Sequence, residues 1–174
     1  NLKLFHRESQ IPLSDVLPMM ENLGLRVIGE RPYDINAPQQ RYWIHDFELE
    51  HSREGVNLSE MRDTFSEAFK RIWAGEADND AFNRLIISAG LDWREVAMLR
   101  GYARYLKQIR FGMSQDYIAA TLANYPAITQ TLVELFRLRF DPAQQPSNLD
   151  DCLAHLNEHL EGVASLNDDQ LLRR

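Results

Sequence analysis

Residues 42–50 of this 174-residue chain alternate between two kinds of side chain, which is the pattern of a β-strand with one buried face. The first kind is aromatic or apolar, apart from one histidine, and comprises Trp43, His45, Phe47 and Leu49. The second kind is acidic and comprises Asp46, Glu48 and Glu50. Because His45 shares its face with two aromatic residues, we predict that it is a hydrogen-bonded histidine of the core.

The elements around this strand give the order strand, helix, strand, strand, helix. Residues 2–6 and 25–28 are predicted strands, and residues 14–23 form the predicted helix between them. Apolar side chains at helical spacing predict a second helix over residues 58–73. This order begins a ferredoxin-like or ACT-like α+β unit, which we place at residues 1–75. The last strand of such a unit is not recognisable in the sequence.

Residues 76–174 are predicted to form a mostly helical domain that packs on the first unit. The predicted helices begin at side chains that can cap a first turn, and most of them end at glycine or proline. The predicted caps are Ser14, Asp78 or Asp80, Asp92 and Ser114, and the predicted stops are Gly24, Gly90, Gly112 and Pro126. A long amphipathic helix is predicted over residues 149–164. The fold class is therefore α+β, an ACT-like β-α-β-β-α unit followed by a helical bundle.

The composition limits the classes of protein that fit this chain. Hydrophobic residues make up 44% of the sequence and charged residues 26%, which is enough for a packed core with a polar surface. A net charge of −7 disfavours general nucleic-acid binding, and no apolar run approaches the ~20 residues that span a bilayer. The single cysteine, Cys152, excludes an internal disulfide and is typical of a reducing compartment. We expect a cytoplasmic protein that binds neither nucleic acid nor membrane.

Three segments stand out as an ordered set. They are LSDVLPMMENLGLRVI at residues 13–28, FNRLIISAGLDWREVAMLRGYARYLKQ at residues 82–108 and LVELFRLRFDP at residues 132–142. Together they resemble the region that precedes the catalytic core of the large bacterial NAD-specific glutamate dehydrogenases. The resemblance implies a parent enzyme that oxidatively deaminates L-glutamate to 2-oxoglutarate with NAD. It also implies that the partners of this segment are the rest of the parent polypeptide and the other subunits of a homo-oligomer.

The catalytic parts of such an enzyme are not recognisable in this sequence. No G-x-G-x-x-G follows a predicted strand, and there is no glycine-rich phosphate loop. The lysines are Lys3, Lys70 and Lys107, and none lies in a glycine-rich setting like that of the family's catalytic lysine. We therefore assign no catalytic or cofactor-binding residue and expect the isolated chain to be inactive, with NAD bound elsewhere in the parent enzyme. The predicted role is regulatory and structural, in assembly and allosteric control.

One motif has the spacing of a metal site. His155, Glu158 and His159 match H-x-x-E-H, which occurs in inverted zinc peptidases, and Cys152 lies one helical turn earlier. This motif raises the alternative of a small metallohydrolase. However, no acidic ligand on a second helix is recognisable, and a leucine stripe at helical spacing leaves both histidines on the flank of the predicted helix. We therefore predict no metal, and retain Cys152, His155 and His159 as the candidates.

A basic stripe follows one predicted helix. Arg100, Arg104 and Lys107 are spaced i, i+4, i+7, so they lie on one side of it. The stripe is a candidate anion site or a docking face for an acidic surface elsewhere in the parent enzyme. The alternative, which the pattern alone favours, is a solvated face.

An ACT-like unit also raises the question of an amino-acid effector. Such units use the turn after the first strand, where backbone N–H groups can reach a carboxylate. Here the turn is HRESQIPL at residues 6–13 and contains no glycine. Its candidate contact residues are Arg7, Ser9 and Gln10.

A further alternative is an independent module, either RRM-like and RNA-binding or helical and protein-binding. RRM-type sheets present aromatic residues beside basic ones on an exposed face. Tyr42, Trp43 and Phe47 supply aromatic rings, but Asp46 and Glu48 on the same strand repel phosphate.

Overall fold

A central strand, β3, organises the amino-terminal sheet. The computed structural model describes residues 1–51, 61–143 and 148–174. Within them, three strands form one antiparallel sheet in the order β1-β3-β2. The strands are β1 (Leu2–Arg7), β2 (Leu25–Ala37) and β3 (Gln40–His51). The strand predicted from its alternation is therefore the one that pairs on both sides.

The register of the sheet places the predicted face of β3 inward. Leu2 pairs with Phe47 on one side, and Leu25 pairs with His51 on the other. A bulge between Val27 and Gly29 inserts Ile28 as an extra residue in β2. Because the side-chain period of a strand is two, this insertion reverses which residues of β2 face inward after it. His45 and Phe47 are fully buried, as predicted for this face of β3.

Helix α1 (Leu13–Asn22) covers the inner face of the sheet. Its buried side chains are Val16, Met19 and Met20, and Leu23 continues the same face at the spacing expected of an amphipathic helix. The predicted cap at Ser14 is wrong, because the helix begins one residue earlier and Pro12 occupies the cap position without a side-chain hydrogen bond. The predicted stop is confirmed: Gly24 has a φ of +83°, which favours glycine.

The second half of the chain is helical, as predicted. It comprises α2 (Arg62–Trp73), a 3₁₀ helix (Ala81–Arg84), α3 (Leu85–Ser88), α4 (Trp93–Gln108), α5 (Gln115–Asn124), α6 (Pro126–Phe140), α7 (Leu149–Glu161) and α8 (Leu166–Leu172). Residues 58–60 of the predicted second helix lie outside the described residues. Helix α7 ends at Glu161 rather than at residue 164, with Gly162 as its C-cap.

Most of the predicted helix caps are present. Asp80 accepts a hydrogen bond from the N–H of Phe82, and Ser114 accepts one from Tyr117. Asp92 forms a full capping box with Glu95. The Asp92 side chain accepts from the N–H of Glu95, and the Glu95 side chain accepts from the N–H of Asp92. The stop predicted near Gly112 lies a few residues earlier, because α4 ends at Gln108 and the left-handed residue after it is Arg110, with a φ of 61°.

Helix α2 packs mainly against the helices that follow it. Its principal neighbours are α3 and α4, and Arg71 of α2 lies over the ring of Trp93 at the start of α4, 5.4 Å from the ring centroid. Phe69 is buried, and Phe65 is half-buried beside it with the ring centroids 6.2 Å apart. A single apolar core therefore runs from α1 and the sheet through α2 and into the helices that follow. The division of the chain at residues 75 and 76 stays a prediction.

Replacing Phe69 by alanine should lower the free energy of unfolding by about 3–5 kcal/mol, because it deletes a buried aromatic ring and leaves a cavity. Phe69 is 8% exposed, whereas Phe5 on the outer face of β1 is 69% exposed. Phe5→Ala is therefore the control and should change stability by no more than about 0.5 kcal/mol. Urea denaturation of both variants tests this, and a cost below about 1 kcal/mol for Phe69→Ala would contradict the burial of the α2 face.

Candidate functional site

The first member of the predicted basic stripe, Arg100, is buried. Its side chain is 4% exposed and lies between α4 and the segment that leads into the 3₁₀ helix. The guanidinium donates from Nε to Asp80 Oδ2 at 2.7 Å and from Nη2 to Asp80 Oδ1 at 2.9 Å. A further hydrogen bond runs from Nη2 to Asn83 Oδ1 at 2.8 Å. This fork-like pairing meets the need of a buried cation for paired acceptors.

The residues that bind Arg100 are themselves held by the backbone. Asn83 donates from Nδ2 to the carbonyl oxygen of Asp78 at 3.0 Å, and Asp80 Oδ1 accepts from the N–H of Phe82 at 3.0 Å. Because Asp80 both caps the 3₁₀ helix and pairs with Arg100, one carboxylate fixes the start of that helix and its distance from α4. We call this set, Asp78, Asp80, Asn83 and Arg100, the Arg100 network.

The structure divides the basic stripe into a buried part and an exposed part. Arg104 is 59% exposed and donates to Asp78 Oδ2 at 2.8 Å, and Lys107 is exposed one turn later. Asp78 and Asp80 are thus partners of arginines. A docking or anion-binding role for the stripe stays a prediction, and it now depends on Arg104 and Lys107 because Arg100 does not reach the surface.

The metal candidates on α7 lie in different environments. Cys152 is buried, with its Sγ 3.9 Å from the carbonyl oxygen of Thr131, and burial together with the charge of Glu134 raises the pKa of its thiol. His155 and His159 are exposed. Across residues 1–51, 61–143 and 148–174, no group of three or more histidine, cysteine or acidic side chains is placed to hold a metal ion. The absence of a metal stays a prediction.

The turn after β1 uses its backbone N–H groups to hold its own shape. Glu8 has a φ of 69°, and its N–H donates to the carbonyl oxygen of Arg41 at 2.9 Å. The N–H of Ser9 donates to Arg7 O at 2.8 Å. The predicted effector residues, Arg7, Ser9 and Gln10, are all exposed. Effector binding at this turn stays a prediction, and it would depend on side chains rather than on these two backbone N–H groups.

His45 ties this turn to the sheet, as expected of a hydrogen-bonded core histidine. The N–H of Ile11 donates to Nε2 at 3.2 Å, so Nε2 acts as the acceptor. The proton of the neutral ring is then on Nδ1, which lies 2.8 Å from Glu30 Oε1 and donates to it. His45 thus connects the end of the turn, β3 and β2 through one side chain.

A cleft of about 790 Å³ lies between α1 and β2. Its charged lining residues are of both signs and include Glu21, Glu50 and Arg84. The Nε atom of Arg84 is buried and has no hydrogen-bond partner among the described residues. The sequence alone does not indicate Arg84, because only the packing of the 3₁₀ helix on α1 brings it to this cleft.

A second concave surface is apolar. A groove of about 460 Å³ lies between α4, α5, α6 and α8. Its wall on α4 carries Tyr102, Tyr105 and Ile109, which are 49%, 56% and 56% exposed, and Phe140 at the end of α6 is 59% exposed. The groove was not predicted from the sequence, although these α4 residues have the spacing of a second apolar stripe beside the buried one.

Comparison with known proteins identifies both parts of the chain. Residues 1–61 match the family model for the ACT3 domain of glutamate dehydrogenase, and residues 77–142 match the model for its helical motif 3. The NAD-specific glutamate dehydrogenase of Halomonas elongata is 70% identical over the whole chain, which covers 11% of that protein. Those of Pseudomonas aeruginosa and Mycobacterium tuberculosis are 46% and 36% identical over 99% and 92% of the chain, with 11% of each protein covered.

This chain belongs to the NAD-specific glutamate dehydrogenase family. The predicted resemblance and the predicted ACT-like fold followed by helices are thereby confirmed. Within this family, the helical motif 3 region contains the whole Arg100 network, and the ACT3 region contains the turn after β1 and His45. A direct polar link joins the two regions, from Asn22 Nδ2 to Asn79 Oδ1 at 2.9 Å. None of the helices in the described residues is long and apolar enough to cross a membrane.

The end of this glutamate dehydrogenase segment is fastened by Asp168. Tyr117 donates to its Oδ1 at 2.5 Å and Thr121 at 3.1 Å, and Tyr125 donates to its Oδ2 at 3.2 Å. The hydrogen bond from Tyr117 is the main cause that lowers the pKa of Asp168, against the opposing effect of burial. One carboxylate thus holds α8 on α5.

Arg100→Met should lower the free energy of unfolding by about 2–4 kcal/mol, because it leaves Asp80 and Asn83 without their donor. The matched control is Arg104→Met on the same helix, which removes an exposed ion pair and should cost no more than about 1 kcal/mol. Chemical denaturation of both variants is the measurement. Equal effects for the two arginines would contradict the special role of the buried one.

Asp168→Asn should destabilise the chain in a pH-dependent way. The folded-state pKa lies below the ordinary value of about 3.9, so the stabilising contribution is fully present above that pH and is lost as the pH falls through the folded-state pKa. The difference in urea midpoint between wild type and variant should therefore shrink between about pH 6 and about pH 2.5. Asp116→Asn, an exposed change on α5, is the control. A difference that stays constant with pH would contradict this assignment.

Proposed function

We propose that this chain is a non-catalytic segment of an NAD-dependent glutamate dehydrogenase, with structural and regulatory roles in the parent enzyme. The parent reaction is the oxidative deamination of L-glutamate to 2-oxoglutarate, with NAD as the hydride acceptor. The observation that carries the proposal is the single apolar core shared by the ACT3 and helical motif 3 regions. Because the two regions pack as one body, the surfaces on each are held at fixed positions relative to the other.

The non-catalytic part of the proposal is supported by the type of sheet. Dinucleotides bind at the carboxyl ends of parallel strands, next to a glycine-rich turn and a helix N-terminus. The strands in the described residues pair antiparallel, and β3 lies between its two partners. The chemistry would then be supplied by another part of the parent enzyme, because this chain spans 11% of the length of its relatives.

The structural part is supported by apolar and basic side chains that the fold leaves exposed. Exposed aromatic residues on α4 and α6, and the exposed end of the basic stripe, are features of surfaces that contact other protein. The proposed partners are the remaining parent polypeptide and the other subunits of a homo-oligomer. The buried residues of the Arg100 network, in contrast, stabilise the segment itself.

The regulatory part is supported by the cleft between α1 and β2. A free amino acid carries a carboxylate and an ammonium group, and the cleft offers Arg84 beside Glu21 and Glu50. Arg84 is half-buried and lines the cleft, so its guanidinium would donate to the carboxylate of the amino acid. We place the effector site there in preference to the turn after β1. Stacking of RNA bases on Phe47 is not favoured, because this ring is buried. Metal-dependent hydrolysis at α7 is not favoured either, because the candidate ligand Cys152 is buried.

Deleting residues 1–174 from the full-length enzyme should lower its subunit number and remove its kinetic response to amino acids, if the segment assembles and regulates. Light scattering gives the mass, and glutamate oxidation with and without each amino acid gives the response. The matched point variant, Arg84→Gln, should remove the response and leave the mass unchanged. Unchanged mass and unchanged response in the deletion would contradict the proposed function.

A further inference from the structure

The apolar groove between α4 and α6 has the shape and lining of a helix-binding site. Tyr102, Tyr105 and Ile109 follow one line along α4, and Phe136 and Phe140 follow a second line along α6. Large apolar side chains seldom cluster on a surface that contacts solvent alone. A concave apolar strip between two helices is the surface on which an amphipathic helix lays its apolar face, with anchors at i, i+3, i+4 and i+7.

The charges around the groove define the chemistry of that helix. Two arginines, Arg139 and Arg174, line the groove and form its basic rim. Neither arginine forms an ion pair within residues 1–51, 61–143 and 148–174. The chain as a whole carries a net charge of −7, so two unpaired arginines at one groove run against the overall balance. A helix with acidic residues beside its apolar face would complement both the lining and the rim.

Assuming the proposed function, we infer that the groove binds an acidic amphipathic helix supplied by the remaining polypeptide of the same enzyme. Most of that polypeptide lies outside this chain, which covers 11% of its relatives. A second copy of this chain fits less well, because two chains of net charge −7 repel each other. An anionic bilayer also fits less well, since the aromatic side chains line a concave surface rather than a protruding one.

A photo-crosslinker placed in the groove identifies the occupant directly. The full-length enzyme would carry p-benzoylphenylalanine in place of Tyr105, and the crosslinked peptide would be sequenced by mass spectrometry. The control carries the same group in place of Leu153, which is 41% exposed on α7 and is not a groove residue. The expected crosslink from position 105 is to a helical segment outside residues 1–174 that carries Asp or Glu beside its apolar residues.

Charge reversal tests the rim independently of the crosslink position. Arg139→Glu should lower the crosslink yield from position 105 by about tenfold, because like charges then face each other across the docked helix. Arg94→Glu is the matched control, since Arg94 is an exposed arginine on α4 that lies over Trp93 and away from the groove. Circular dichroism would confirm that both variants fold.

Three results would overturn this inference. They are a crosslink to residues 1–174 of a second copy, a crosslink to a segment without acidic residues, and a yield no greater than at position 153. In each case, deletion of residues 1–174 distinguishes a failure of this inference from a failure of the proposed function. If removal of residues 1–174 still disrupts assembly, the segment assembles through another surface. If removal has no effect, the proposed function itself fails.

Discussion

The buried ion pair between Arg100 and Asp80 is the interaction on which the arrangement of the helices depends. It connects the middle of α4 to the segment between α2 and α3, and Asp80 is at the same time the cap of the 3₁₀ helix. A buried pair adds little net stability compared with an apolar one, but removing either partner is costly. The pair therefore fixes the position of the 3₁₀ helix relative to α4. The guanidinium can donate to both Asp80 and Asn83 in only one arrangement, and in that arrangement the 3₁₀ helix packs against α1 and α5.

Local features of the fold could be predicted from the sequence, and features that depend on distant residues could not. Asp92 and Ser114 cap helices, and Gly24 ends one. Each depends only on residues close by in the sequence, so the local pattern was enough to predict it. Arg100 was expected on a basic face, because helical spacing describes a helix in isolation. Its partner lies 20 residues earlier in the chain, and only the tertiary fold brings the two together.

The candidate sites show the same difference between local features and features that depend on distant residues. The residues predicted for effector binding and docking belong to one turn and one helix, whereas the cleft beside Arg84 and the apolar groove each require several elements. Arg139 and Tyr102, for example, are 37 residues apart in the sequence and line one groove. The charged cleft is lined mainly by residues of the ACT3 region, with Arg84 from the helical motif 3 region, whereas the apolar groove is lined mainly by residues of the helical motif 3 region.

The bulge in β2 makes the strand tolerant, at this one position, of changes in both sequence and length. The extra residue, Ile28, is 47% exposed, so many side chains could replace it without disturbing the core. Losing that residue would leave Gly29 opposite Glu48 and Glu30 opposite Phe47, so Glu30 would still face inward beside His45. Variation among related chains at this point should therefore include the loss of one residue as well as substitutions, whereas a deletion later in β2 would reverse the face of the residues beyond it.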